Sequence, residues 1–520
     1  MKQAMAKVMT KEMAMAKETM MEDAIRIHKN DLVAVALNPL KRGQIVMGIT
    51  LSADVPEGHK FALSDLAKGS LVIKYGHSIG RATADIKAGD WVHTHNVRTD
   101  LTEKFDYRYA PKALLESASI VTPEDKNVPE LEFKGYLRAD GSAGIRNELW
   151  IIPTVGCVND ICKTLEQKNA KLVGQYGLDG LFHFSHPHGC SQLGDDHEAT
   201  CALLAALCRH PNAGGVLVVG LGCENNTLDE FRSRLSPEYS EKLRFMECQQ
   251  ETDELEAGRL HLEALAAHAA LSKRQTLPVS KLIIGMKCGG SDGLSGITAN
   301  PVAGIFCDKL ISMGATAILT EVPEMFGAEQ LLFDRCKDIG TFNAAVDMID
   351  RFKDYFISHG QTIYENPSPG NKAGGITTLE DKSLGCVQKG GSSPIVAVLD
   401  YAQQVTMQGL NLLYGPGNDL VSATALVAAG AQIVLFTTGR GTPFGAPAPT
   451  LKISTNNDLA ARKPHWIDFN AGTAAQGEEI SDTANRLLKL VVEIANGTRM
   501  TRSEEYAQRG IAIWKNGVTL

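Results

Sequence analysis

Four apolar runs in this chain end in turns that each deliver a cysteine. Leu149–Ile152 leads to Val155-Gly156-Cys157, and Leu181–Phe184 to His186-Pro187-His188-Gly189-Cys190. Leu217–Val219 leads to Gly220-Leu221-Gly222-Cys223-Glu224, and Leu282–Ile284 to Cys288-Gly289-Gly290-Ser291-Asp292. In a parallel α/β sheet such runs are buried strands, and the turns after them gather at the carboxyl edge, where ligands bind. Thiols and imidazoles collected at one edge suit a soft or borderline metal ion. A single cysteine after a strand is as readily a packing residue; four after such turns point to a site. Groups for proton chemistry lie alongside: His186 and His188, then Asp195, Asp196 and His197, with Glu224 beside Cys223, and Glu321 and Glu324 where another strand should end. Removing a proton beside a carboxylate and expelling hydroxide needs a base, an acid and a cation to hold enolate charge. Arg146, Lys372 and Arg440 are the cations available for a carboxylated substrate, though Arg146 and Arg440 could equally close structural ion pairs.

Better-known motifs do not compete. Gly415-Pro416-Gly417 and Gly439-Arg440-Gly441 both fail G-x-G-x-x-G, and no phosphate-binding P-loop occurs. Gly289-Gly290-Ser291-Asp292-Gly293 matches G-x-S-x-G, but Gly293, Gly296 and Pro301 follow too closely for the helix a nucleophile elbow requires.

The elements that must position these residues are legible in outline. With 520 residues the chain has length for about three domains. Residues 1–23, with Met1, Met5, Met9 and Met13 spaced by four, read as a tail added to the fold. Residues 24–99 carry short β-type runs (Ala24–Ile27, Leu32–Leu37, Val46–Leu51, Leu71–Tyr75 and Trp91–His95) and form a small β module. There His93-Thr94-His95 would set two imidazoles on one strand face, either as a metal or sugar-acid contact or as a solvated strand end. Residues 100–130 are a linker laid on a neighbouring surface by Phe105, Tyr107 and Tyr109. Residues 131–275 and 276–520 alternate strands with helices such as Ser236–Arg244, Asp253–Leu271 and Thr483–Ala495, the pattern of Rossmann-like parallel sheets. A net charge of −8 disfavours nucleic acid as a partner, and no apolar stretch is long enough to span a membrane. Eleven cysteines without a secretion signal argue for thiols, catalysis or metal rather than disulfides.

The longest motifs carry a family resemblance. They are Arg146–Asn159, Gly189-Cys190-Ser191-Gln192-Leu193-Gly194-Asp195-Asp196-His197, Gly220–Asn226, Cys288–Pro301 and Asn366-Pro367-Ser368-Pro369-Gly370-Asn371-Lys372. Together they resemble the altronate and galactarate dehydratases, and the Gly189–His197 segment is similar to the altronate branch. His188 stands where an aromatic residue is expected. The resemblance implies a SAF-type β-clip at the N-terminus, a middle domain contributing to a homodimer, and a Rossmann-like C-terminal domain carrying metal. It also implies a cytoplasmic hydro-lyase of hexuronate breakdown that uses Fe2+, with Mn2+ as an alternative ion, on a small sugar acid. On this reading Cys190, Cys223 and Cys288 ligate the metal, with Cys157 or Glu321 completing the set. His186 is the base, Glu224 or Lys372 the acid, and Arg440 the carboxylate clamp. Three alternatives remain: a related sugar-acid dehydratase of the galactarate type, a hydro-lyase whose cysteines hold an iron–sulfur cluster, or a protein that binds sugar acids without turning them over.

Overall fold

A computed structural model describes residues 23–101, 107–111 and 131–517. The Met-rich tail and Phe105 lie outside the described residues.

The N-terminal module is built from antiparallel strands too short to stand alone. Ala24–Ile25, Val33–Ala36, Lys60–Ala62 and Trp91–Val92 form one sheet; Leu71–Lys74, His77–Ala82 and Val97–Arg98 form a second. The apolar run Val46–Leu51, expected as one strand, is instead a hairpin of Ile45–Val46 with Ile49–Thr50, because Met47 and Gly48 adopt positive φ between them. The strand at Trp91 ends at Val92, so the two imidazoles expected on one face part company. His93 is buried, with Nδ1 3.1 Å from Thr377 Oγ1, whereas His95 is exposed. Tyr107 and Tyr109 are laid over the C-terminal domain, their hydroxyls donating to Glu329 and to the Cys336 carbonyl.

The second domain holds a four-stranded parallel sheet in the order Gly180–His183, Glu148–Pro153, Ala213–Gly220, Leu243–Glu247. Ser236–Arg244, expected as a helix, is a 3-10 turn over Pro237–Lys242 that runs directly into the last of these strands. The C-terminal domain is wound on seven parallel strands in the order Ile395–Leu399, Gly409–Leu413, Thr316–Leu319, Ile283–Cys288, Ile433–Thr438, Thr450–Ser454, Phe469–Asn470. The first strand of that domain in sequence, Ile283–Cys288, lies in the middle. Its successors go to one side and the last three strands to the other, so a crevice opens beyond Cys288, where open α/β sheets bind ligands. An antiparallel strand, Glu132–Leu137, pairs with Gln275–Pro278 and ties the two α/β domains together. Among the described residues, no helix is long and apolar enough to cross a membrane.

The β module is not a free appendage. Lys60 Nζ and Lys74 Nζ lie 2.8 and 2.9 Å from the two carboxylate oxygens of Asp381, and all three side chains are buried. Asp381 sits in the first turn of the helix Leu379–Cys386, whose N-cap Thr378 also donates to the Ile79 carbonyl of the module. Burial would raise the Asp381 carboxyl, but Lys60 and Lys74 hold it well below the usual range. Burial in turn pushes Lys60 down to about 8. Removing one partner strands buried charge, so Asp381→Asn is expected to cost about 3–5 kcal/mol at neutral pH in denaturant unfolding. A depressed carboxyl stabilises the fold above its unfolded pKa and loses that contribution as pH falls toward the folded value. The gap between wild type and Asp381→Asn should therefore shrink on acidification below about pH 4; a gap independent of pH would contradict an ionic origin.

Candidate functional site

The crevice beyond Cys288 encloses about 560 Å3 and is lined by Cys288, Gly289, Glu324, Asn366, Lys372, Lys382, Asn418 and Asp419, among others. Three elements deliver its chemistry. The central strand ends at Cys288; the neighbouring strand Thr316–Leu319 runs into Glu321 and the turn Val322–Glu324; the clamped helix Leu379–Cys386 supplies Lys382 and Cys386. Glu321 is held in left-handed backbone at φ +72°, an unfavourable region for a side-chain-bearing residue. That turn aims its carboxylate back at the sheet edge, where Oε2 accepts from the Cys288 amide at 2.9 Å.

The sulfurs of Cys288 and Cys386 are 3.3 Å apart, and each lies close to Glu324 Oε2, at 3.0 and 3.2 Å. All three residues are buried. Around them, Lys287 contacts Glu321 and pairs with Asp419 at 3.0 Å, Lys389 reaches Glu321 at 3.2 Å, and Lys382 reaches Glu324 at 2.8 Å. Burial works against the charge of Glu324, yet the Lys382, Lys287 and Lys389 ammonium groups keep its carboxyl well below the usual range. For Glu321 burial prevails, with Glu324 adding to it, and its carboxyl is raised. The Cys386 thiol is raised by its hydrogen bond to Cys288 and by burial. Three ammonium groups thus face three carboxylates, which leaves the thiols without a counter-charge of their own. Two thiolates would carry two negative charges, and a divalent cation is the species that neutralises them; two sulfurs and a carboxylate oxygen are a soft-to-borderline donor set. The residues present fit such an ion.

The structure divides the residues singled out from sequence. It brings Cys288 and Glu321 together and places Lys372, on the short helix Pro369–Ala373, in the same crevice. Arg440 is exposed and lines a neighbouring cavity of about 260 Å3 with Glu57, Asp292 and Arg462, so the carboxylate clamp lies beside the crevice rather than in it. Cys157, Cys190 and Cys223 do not join Cys288 on one ion; they are exposed at the edge of the second domain's sheet, as are the loops of His186 and Glu224. His186 is buried, with Nε2 2.8 Å from the Pro153 carbonyl and Nδ1 3.2 Å from the His188 amide. Glu224 accepts from the Leu221 and Gly222 amides and from the Thr154 hydroxyl, closing its own turn. Arg146 closes an ion pair with Glu504 at 2.7 Å. Ser291 has no helix behind it until Ala299. Lys382, Lys389, Cys386 and Asp419 went unnoticed in the sequence. The available signal was Lys382 and Cys386 four apart, one helical face, on a segment that follows no strand.

A strand-edge crevice that joins thiols, carboxylates and ammonium groups, with one of its helices also anchoring the β module, belongs to a three-module hydro-lyase. Family models match in chain order: "Altronate/galactarate dehydratase SAF domain" over residues 22–100, "D-galactarate dehydratase/Altronate hydrolase, second domain" over 135–270, and "D-galactarate/Altronate dehydratase, C-terminal" over 279–519. The chain belongs to the altronate/galactarate dehydratase family. It is 53% identical to altronate dehydratase of Escherichia coli (strain K12), over 95% of this chain and 99% of that one. It is 48% identical to altronate dehydratase of Bacillus subtilis (strain 168), over 96% and 100%. Galactarate dehydratase (L-threo-forming) of Escherichia coli (strain K12) is more distant, at 34% over 93% and 94%.

The His186 environment makes a direct prediction. Burial pushes its imidazole down from 6.5 to about 4, so the ring is neutral throughout the physiological range. In an NMR titration of the folded protein its midpoint should fall near about 4. A midpoint near the ordinary value would mean that the ring is open to solvent. Because the unfolded ring takes its proton first, acidification between those two values removes stability, and His186→Gln should lessen that loss.

Proposed function

We propose that the protein dehydrates D-altronate to 2-keto-3-deoxy-D-gluconate, with the crevice at Cys288 as the active site. The observation that carries this reading is the meeting of Lys372, Lys382, Asp419 and the buried Cys288–Glu324–Cys386 trio around one polar cavity of about 560 Å3, in a member of this family. A cavity of that size suits a six-carbon acid. Proton loss from C2 is slow unless the charge that grows on the adjacent carboxylate is held; Lys382 and Lys372 supply positive charge on the cavity wall. Asp419, paired with Lys287 at 3.0 Å and partly open to the cavity, takes the C2 proton. Lys372 delivers a proton to the departing 3-hydroxyl, which leaves as water, and the enol then collapses to the 2-keto acid. Cys288, Cys386 and Glu324 would hold Fe2+, or Mn2+ in its place, and a bound ion supplies Lewis acidity toward a substrate carboxylate and hydroxyl. All eleven cysteines are free thiols, which agrees with a reducing cytoplasm, and the family reading makes the enzyme a homodimer.

Asp419→Asn is expected to lower turnover of altronate about 10²–10⁴-fold and to abolish exchange of the C2 hydrogen with solvent deuterium. Lys372→Met should lose turnover on a similar scale yet retain exchange, because it blocks departure rather than proton abstraction. Full turnover in either variant would refute its assigned role.

Anaerobic chelation should abolish activity and Fe2+ restore it, and Cys386→Ala should arrive with less bound metal while keeping its fold by circular dichroism. Full activity after exhaustive chelation would exclude the metal.

A further inference from the structure

The second domain carries a pattern that the proposed reaction does not use. Each of its four parallel strands is followed by a cysteine: Cys190 after Gly180–His183, Cys157 after Glu148–Pro153, Cys223 after Ala213–Gly220, and Cys248 after Leu243–Glu247. Cys157, Cys190 and Cys223 are exposed and Cys248 is half-buried, whereas the other seven cysteines of the chain are buried. Exposed thiols are uncommon because free cysteine prefers the interior; here they are confined to the carboxyl edge of one sheet.

The loops that bear them are laced together. The Gly156 amide donates to the His188 carbonyl at 2.9 Å, the Asn226 amide to the Gly189 carbonyl at 3.1 Å, and the Ser191 amide to Asn225 Oδ1 at 2.8 Å. Asn226 Nδ2 returns to the Thr154 carbonyl at 3.1 Å. Gly189, at φ +100°, passes so close to the first loop that an added Cβ would lie 2.0 Å from the Thr154 carbonyl oxygen. The residues beside each cysteine are therefore fixed against residues beside the next. Behind Cys190, Gln192 is 4% exposed; its Oε1 accepts from the Gly189 amide at 2.9 Å, while its Nε2 has no hydrogen-bond partner within the protein. A buried donor of this kind calls for an acceptor.

The three sulfurs do not form a set within 4.8 Å of one another, which is too open for one tetrahedral ion. A polynuclear iron–sulfur cluster does not require the sulfurs to meet on one ion, because each thiolate binds a different iron, and cluster sulfides accept hydrogen bonds from donors such as Gln192 Nε2. We propose that Cys157, Cys190 and Cys223 hold an iron–sulfur cluster on the second domain, separate from the Cys288–Glu324–Cys386 trio. Three protein thiolates leave one iron of a four-iron cluster to a non-protein oxygen ligand, on the solvent side of the edge.

The test is iron and acid-labile sulfide content, with visible absorption, of the full chain purified without air from iron-replete cells. The expected result is labile sulfide with broad visible absorption in the wild type, both largely lost in Cys157→Ala, Cys190→Ala and Cys223→Ala but kept in Cys386→Ala. In the unsubstituted protein, the three thiols should also resist iodoacetamide until iron is stripped, read by peptide mass mapping, so a variant that fails to fold does not decide the matter. Iron without labile sulfide, a chromophore that survives all three substitutions, or three thiols alkylated at once in the iron-loaded protein would overturn the proposal. Altronate turnover is assayed in the same samples: absence of turnover in the wild type with the cluster intact overturns the proposed function alone, and turnover independent of Cys386 overturns only the role given to Cys386.

Discussion

Charge buried at the carboxyl edge of the seven-stranded sheet governs the rest of the C-terminal domain. Lys287 projects from the central strand into an interior where an unpaired ammonium group would be prohibitively costly. Glu321 must therefore be where it is, and the left-handed turn that places it is the local cost of that demand. Glu321 draws in Lys389, Glu324 draws in Lys382, and a closed set of opposite charges results. Within that set every ammonium group already has a carboxylate partner, and none is left over for the two thiols.

The sequence made the outline of the fold legible and the site only in part. Buried parallel strands announce themselves as unbroken apolar runs, which is why Leu149–Ile152, Leu217–Val219 and Leu282–Ile284 fall on strands. The short strands Lys60–Ala62 and Val97–Arg98 escaped because they are neither long nor periodic; Lys60 is buried by pairing, not by hydrophobicity. The same reason hid the helix Leu379–Cys386, which reads as a polar surface segment, with Glu380, Asp381, Lys382 and Ser383 in succession, and yet is buried throughout.

Cysteine turns were a sound signal for strand ends but carried no information on which sheet each strand joins. Two parallel sheets produce the same local pattern, and only the long-range order of strands separates Cys288 from Cys157, Cys190 and Cys223. Cys386 ends a helix and follows no strand, so the pattern that revealed the others was blind to it. Lys372 was found because its loop is a long, distinctive motif, whereas Asp419 lies at the start of an ordinary helix, Asp419–Ala428.

The clamp between the β module and the C-terminal domain joins residues far apart in the chain: Lys60 and Asp381 are separated by 321 positions. On the ribosome the module emerges before the C-terminal domain, with Lys60 and Lys74 made and no Asp381 to meet them. At ordinary rates of synthesis Asp381 follows about 15–60 s later. Through that interval the module cannot reach its final packing. It is made well before the helix that completes it.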